Sequence, residues 1–434
     1  VGFWRKDFTD EDIQRILEKC RELRSVGDDG SVTFKGLHHR PLTAMLVSAV
    51  GFDARTEALK AHILQKTLAS PDLPNDFTEK DFRDIAWKLK DGFQNHSAPH
   101  RVVFPIWNKP AFLDGRRRIG PAMINFSPSD RTPLFKRIER ERAQQRSWPG
   151  FCKHFGDTKT EQLDRCSLCV VRVAAHTHHD AYELASDALY GILGLVNMAA
   201  DGGKGERMTP GPNLRPVSDV LIGPHVTVHA DNGALAFQGF WYENWPDKPP
   251  HPFSDAELDG LESDYGMLAR GAAQSPWSAE CRSASVRYFK AFSNPNLHES
   301  LLDGWRLMEH VAGSRTDSIK QKLTRVSNAA ENRVWWRIVG KHLQARRNMI
   351  THGAPIGIQD QEQETLAFQM RGFIRPYLLS YILNTPSLAT QEEFWEMLEI
   401  TDQQDKRVAE ESCHQRRVRL LHAAADFYRP MDPV

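Results

Sequence analysis

Eight residues hold the densest chemistry in this chain: Arg346-Arg347-Asn348-Met349-Ile350-Thr351-His352-Gly353. Arg347 and His352 stand five positions apart, with an asparagine beside the arginine and a glycine just after the histidine. A guanidinium can hold a phosphate and an imidazole can move a proton. Together they are the minimum set for cutting RNA without a metal.

The element that must position these groups reads as a helix. Trp336, Val339, Leu343 and Ile350 recur at steps of three and four, and Arg347 falls in the same stripe. A fixed charge there needs an anion, a polar network or the rim of a cleft. His352 lies about 140° further round the helix, so the two side chains would flank a groove or share a site with a second copy. Gly353 suits the position after the last helical residue, which sets His352 in the final turn. Arginine and histidine at a helix end also cap carbonyls and complement the dipole, and spacing alone does not separate that role from catalysis.

The segment resembles the HEPN superfamily, and within it the Apea-like group, whose motif runs arginine, polar residue, three residues, then His-Gly. Here those positions are Arg347, Asn348, Met349 to Thr351, His352 and Gly353. The likeness extends to an acidic residue in an earlier helix, Glu309 in Leu307-Met308-Glu309. It extends also to Lys322-Leu323-Thr324-Arg325 opening a helical stretch, and to a long helix over 364–383. It covers roughly 283–390. The resemblance implies a metal-independent endoribonuclease in which the ribose 2′-hydroxyl attacks the adjacent phosphate. His352 would be general base or acid, and Arg347 would hold the phosphate. Asn348 would position the phosphate or the histidine, and Arg346 would assist backbone binding. No cofactor is implied for catalysis. The expected partners are RNA, a second copy paired through the HEPN-like domain, and an antitoxin or activating partner. The implied setting is a toxin or a phage-defence effector acting by abortive infection. The superfamily also holds inactive members, so the alternative is a silent module that binds RNA, nucleotide or protein.

Other residues offer chemistry with less support. Cys166 and Cys169 form a C-x-x-C half-site that Cys152 and His154 would complete around a structural zinc; free cysteines near a strand are the competing explanation. His176, His178, His179 and Asp180 read better as a polar strand-to-helix loop, with Asp180 near the cap, than as a metal site. The run Arg116-Arg117-Arg118 is a candidate RNA contact. The stretch Gly202-Gly203-Lys204-Gly205 lacks the Ser/Thr of a P-loop, which argues against ATPase or GTPase activity.

The whole chain of 434 residues is long enough for two or three domains. Lysine plus arginine equals aspartate plus glutamate at 56 each, which excludes a general nucleic-acid coat but leaves room for a local basic cleft. The sequence has no run of about 20 apolar residues, so no membrane span is expected. Six cysteines do not make a disulfide scaffold, and a reducing cytoplasm is the expected compartment. The chain begins Val1-Gly2-Phe3 with neither initiator methionine nor signal core, as a trimmed chain would.

The expected fold is an α+β N-terminal region followed by an all-α, HEPN-like helical bundle. Residues 1–98 read as a helical unit, with helices over 8–25 and 78–93 and with apolar helical patches within 42–68 interrupted at Gly51-Phe52-Asp53. Residues 99–250 read as a mixed α/β sensing or regulatory region that would restrain the nuclease. Its expected strands are 101–107 and 169–175, then a hairpin with 226–230 and 234–242 around Asn232-Gly233. A helix is expected over 180–200, and loops over 149–158 and 202–217. Residues 251–282 read as a linker or helical connector after the proline-rich stretch 246–252, with a helix or helices from about 254. Residues 283–425 read as the helical domain, with helices over 284–292, 298–312, 316–328, 330–352, 360–384 and 391–425, the last broken near 401–402.

Overall fold

The computed structural model describes residues 2–35, 39–94, 96–128, 132–147, 163–201, 215–242, 252–313, 316–326, 330–352, 360–400 and 403–427. The chain divides into two compact units, Val1–Tyr190 with Leu221–Trp245, and Gly191–Val220 with Pro246–Val434.

In the first unit, α1 (Asp10–Leu23), α2 (His39–Ala49), α3 (Glu57–Leu68) and α4 (Glu79–Gln94) surround one apolar core. Ile13 and Leu17 come from α1, Leu46 from α2, Ile63 and Leu64 from α3, and Phe82 and Ala86 from α4. Thr9 and Asp12 close a capping box at the start of α1. A turn at 28–30 joins a small hairpin, β1 (Arg24–Val26) with β2 (Val32–Phe34), and Gly30 supplies the positive φ of 76°. Arg24 is buried and donates to the carbonyls of Leu68, Ser70, Leu73 and Pro74. The first of these is a carbonyl that the end of α3 leaves open, and the other three belong to the loop that follows it.

The same unit holds an antiparallel sheet built on β3 (Ala98–Trp107), which pairs with β6 (Ser167–Ala175) on one side. On its other side β3 pairs with β7 (Leu221–Ile222) and β8 (Thr227–Ala230). Beyond β6 lie β5 (Ala122–Asn125) and β4 (Arg116–Ile119). Register sorts the rows. Arg117, Ile124, Val171, Val102 and Val228 align across the strands on one face. The last four are fully buried or nearly so. Phe104 shares this face and stacks on Tyr182 of α6 (His178–Ala200). On the opposite face, Val103 and Val170 are covered by Phe135 and Ile138 of α5 (Pro133–Arg146).

The hairpin expected around Asn232-Gly233 forms its turn, with Gly233 at φ 88° and its N–H donating to the Ala230 carbonyl. Its returning arm is not the expected strand. It makes only the single bridges His229 with Leu235 and Val226 with Trp241. Between them Gln145 takes the carbonyls of Gln238 and Gly239, which draws that backbone away from the ladder. Beneath the hairpin Arg142 is buried, donating to Thr227 Oγ1 at 2.6 Å and to the His225 carbonyl at 2.9 Å. Thr227 Oγ1 also meets His229 Nε2 at 2.9 Å.

From residue 255 onward the described chain is all helical, as expected: α7 (Asp255–Gln274), α8 (Ser278–Phe292), α9 (Leu297–Ala312), α10 (Thr316–Arg325), α11 (Ala330–Thr351), α12 (Asp360–Leu383), α13 (Gln391–Met397) and α14 (Gln404–Phe427). The second unit packs Trp277, Tyr377, Tyr381 and Phe394 as one aromatic group. The second half of α6 crosses α8 so closely that a Cβ on Gly194 would meet the Ser285 carbonyl oxygen at 2.0 Å. A buried ion pair, Arg371 to Asp201 at 2.6 Å, is completed by the Tyr288 hydroxyl donating to the same carboxylate. Arg371 also donates to the Val217 carbonyl, and Arg375 to that of Met198. Among the described residues no helix is long and apolar enough to cross a membrane. The loops expected over 149–158 and over most of 202–217, and the proline-rich stretch over most of 246–252, lie outside the described residues.

Candidate active site

Helix α11 carries the arginine and the histidine. Its inward stripe is the one the sequence marks: Leu343 and Val339 are buried, and Trp336 and Ile350 are half-buried. Trp336 meets Phe373 of α12 with ring centroids 6.0 Å apart. Gly340 permits this approach, since a Cβ there would lie 2.8 Å from the Phe373 ring. Arg347 follows Leu343 by one turn and reaches α9. Its Nη2 stands 3.8 Å from Glu309 Oε1, and its guanidinium lies 5.8 Å from the Trp305 ring centre. Trp305 Nε1 donates to the same Glu309 oxygen at 2.8 Å, which fixes the carboxylate. Arg347 Nη1 donates to Asn348 Oδ1 at 3.1 Å. The ion pair is longer than a hydrogen bond, so the guanidinium is oriented by a carboxylate, a ring and an amide without being locked to the carboxylate.

His352 stands just past the last helical residue, and its N–H donates to the Asn348 carbonyl at 2.9 Å. Thr351 Oγ1 donates to the Arg347 carbonyl at 2.9 Å, and Thr351 and His352 are exposed. Counting back from His352 at helical steps gives Met349, Ala345, His342, Ile338 and Trp335. That stripe faces outward, with Trp335 60%, Ile338 51% and Met349 38% exposed. Arg347 therefore belongs to the inward stripe and His352 to an outward apolar one. Arg346 is half-buried beside Arg347, and Gly353 lies outside the described residues. Glu309, noted in the sequence as an acidic residue, meets the arginine; Trp305 was not singled out, although its spacing of four from Glu309 on one helix face was there to read.

Lys322 and Arg325 close α10 rather than opening a helical stretch, and both turn to the C-terminal helices. Lys322 Nζ donates to the Ala312 carbonyl and stands 3.0 Å from Glu399 Oε1. Arg325 donates to the Leu398 carbonyl. They serve helix packing because the last turn of α10 presents its cations to carbonyl groups.

The remaining sequence candidates fall in the first unit. Strand alternation divides the arginine triplet. Arg116 and Arg118 are exposed on one face, and Arg117 is half-buried on the other and donates to the Phe112 carbonyl at 2.8 Å. Cys169 is buried and paired across from Phe104, where burial pushes its thiol up. Cys166 Sγ lies beside Gly223 and the Pro105 ring, and burial pushes that thiol up to about 12. Pro105 alternates with Phe104 along β3, so the two sulfurs are directed to opposite sides of the sheet. Cys152 and His154 lie outside the described residues. Among the described residues no group of three or more His, Cys, Asp or Glu could hold a metal ion.

Asp180 does cap. Its carboxylate accepts from the His176 N–H at 2.9 Å and from the Thr56 hydroxyl at 2.7 Å. His178 stacks on Phe237 with centroids 4.6 Å apart. Burial, then neighbouring His179, pushes the His178 imidazole down to about 4. Compared with known proteins, the chain matches no family model, no curated protein and no solved structure.

Proposed function

We propose that the chain is a metal-independent endoribonuclease with a HEPN-like helical domain, centred on Arg347, Asn348 and His352. The observation that carries this reading is the setting of Arg347. It is a guanidinium half-buried at the end of a helix, held loosely by Glu309, Trp305 and Asn348, with an imidazole just beyond the same helix end. An incoming phosphate would draw the guanidinium from the 3.8 Å carboxylate contact into charge-assisted hydrogen bonds. His352, exposed to solvent, would take the 2′-hydroxyl proton or deliver one to the leaving 5′-oxygen. Products would be a 2′,3′-cyclic phosphate and a 5′-hydroxyl.

Arg347 and His352 project from different faces of one helix. The site is therefore proposed to be composite, formed when two copies pair along the outward stripe of Trp335, Ile338 and Met349. The same divergence favours the second reading, a silent module whose Arg347 binds an anion without cleavage. The proposal keeps the setting the sequence suggested: a regulated toxin or phage-defence effector, restrained by its N-terminal region, an antitoxin or an activating partner. A structural zinc on Cys152, His154, Cys166 and Cys169 rests on spacing alone, and the strand geometry that directs the Cys166 and Cys169 sulfurs apart weighs against it; elemental analysis should find no zinc, and about one per chain would restore it.

The nuclease reading is tested with a labelled RNA of known cleavage position and the same strand bearing one 2′-deoxy nucleotide there. Loss of that cut, with other cuts retained, supports 2′-hydroxyl attack. Equal cleavage of both strands contradicts it.

A further inference from the structure

The face of the sheet that α5 covers in part carries a second arrangement, which no local pattern in the sequence brings together. Arg118 of β4 pairs with Met123 of β5, Met123 with Arg172 of β6, and Arg172 with Arg101 of β3. Directly paired residues of an antiparallel ladder point to one face, so these four side chains form a single row. Neighbouring strands lie about 4.8 Å apart, so the row spans about 15 Å. Arg118 and Arg172 are exposed, Met123 is 40% exposed, and Arg101 is half-buried. Arg116 stands two residues from Arg118 on the same face.

Charge is in excess along this row. Asp231 is shared by two cations: its carboxylate meets Arg172 at 2.9 and 3.1 Å and Arg101 at 2.8 Å. Arg101 Nε also donates to the Asp231 carbonyl at 3.0 Å. Among the described residues neither Arg116 nor Arg118 has an acidic partner. Asp231 thus holds two guanidinium groups in place while cancelling only one of their charges. The adjoining row is roofed at Val103 and Val170 by α5, which gives the strip a wall along one side.

We infer that the row Arg118, Met123, Arg172 and Arg101 docks single-stranded RNA by its phosphates, and this inference rests on the nuclease reading above. A strip one side chain wide and walled on one side fits a linear polyanion better than a plane of lipid headgroups. Guanidinium forks match phosphate oxygens in pairs. Met123, between Arg118 and Arg172, offers an apolar contact to a base or ribose. The strip would add affinity without supplying a group to the cleavage chemistry.

The test uses the full chain carrying His352→Ala, so that RNA is held and not cut. Binding of fluorescent oligo(U) is followed by anisotropy across a salt series. Neutralising three phosphate contacts, in Arg101→Gln/Arg118→Gln/Arg172→Gln, should flatten the slope of log K against log salt by about 2 and weaken low-salt binding at least tenfold. Arg118→Gln alone, at an exposed residue with no ion pair among the described residues, should flatten it by about 0.7. Asp231→Asn keeps every arginine and should bind at least as tightly as its parent. No oligo(U) binding by the parent overturns the inference. So does an unchanged slope in Arg118→Gln, or binding to phosphatidylserine vesicles in place of oligo(U). Cleavage by the unsubstituted chain is scored separately: cutting with an unmoved slope sinks the strip and keeps the nuclease, and a moved slope without cutting does the reverse.

Discussion

The two units place their arginines by different rules. In the second unit Arg347 follows a helical stripe, and the groups that orient it lie on α9 and at the next position in the chain. In the first unit Arg118, Arg172 and Arg101 come from three strands spread along the chain and meet only through register. Their interiors differ in the same way. Arg371 is buried against a carboxylate, whereas Arg142 is buried against a hydroxyl and a carbonyl, beside histidines that must stay neutral. Helical periodicity exposes a functional candidate to local reading; a sheet hides one until its strands are paired. A buried cation can be kept by an opposite charge or by neutral dipoles, and the two solutions fail under different conditions.

The largest expected effect breaks the ion pair. Arg371→Met leaves the Asp201 carboxylate buried with the Tyr288 hydroxyl, and should cost about 3–5 kcal/mol in urea unfolding. A loss below about 1 kcal/mol would show that the pair is not the second unit's charge anchor. Next comes acid. Burial, then the neighbouring Arg142, pushes His229 down to about 4 and drives His225 lower still. An unfolded histidine titrates near 6.5, so between about pH 6.5 and 4 the unfolded chain binds protons that the folded one refuses. Stability from these residues is complete above pH 6.5 and is lost as pH falls. His229 alone should cost about 2 kcal/mol between pH 7 and 5. Hydrogen exchange should show that loss in β8 and α5, and unchanged protection there at pH 5 would contradict it. The smallest effect is local. Thr390→Ala removes the capping box of α13 and should cost about 1 kcal/mol, read as a lowered melting temperature.

The helices were legible because their signals are local. Thr9 with Asp12 announces α1, and the 336, 339, 343 stripe announces the buried face of α11. Helix α5 is not legible in the same way: Thr132 and Pro133 are a start signal, but its charged sequence hides the apolar pair Phe135 and Ile138. The run 116–118 reads as three basic residues, and only the hairpin turn at Gly120, φ 54°, shows that alternation sends Arg117 to the other face. The spacing of Cys166 and Cys169 suggests convergence, yet the first precedes β6 and the second lies within it, so strand geometry directs them apart. Within the candidate site, Arg347, Asn348, His352 and Glu309 could be named from the chain. The Trp305 contact and the outward stripe bearing His352 needed the packed helices.

The central claim is best tested by incubating a labelled total-RNA pool in EDTA with the full chain, Arg347→Ala and His352→Ala. Parent cleavage leaving 5′-hydroxyl ends is expected. Each variant should lose about 10²-fold or more in rate while keeping the parent's circular dichroism. Cleavage at the same rate by all three proteins would contradict the account and move the active site elsewhere.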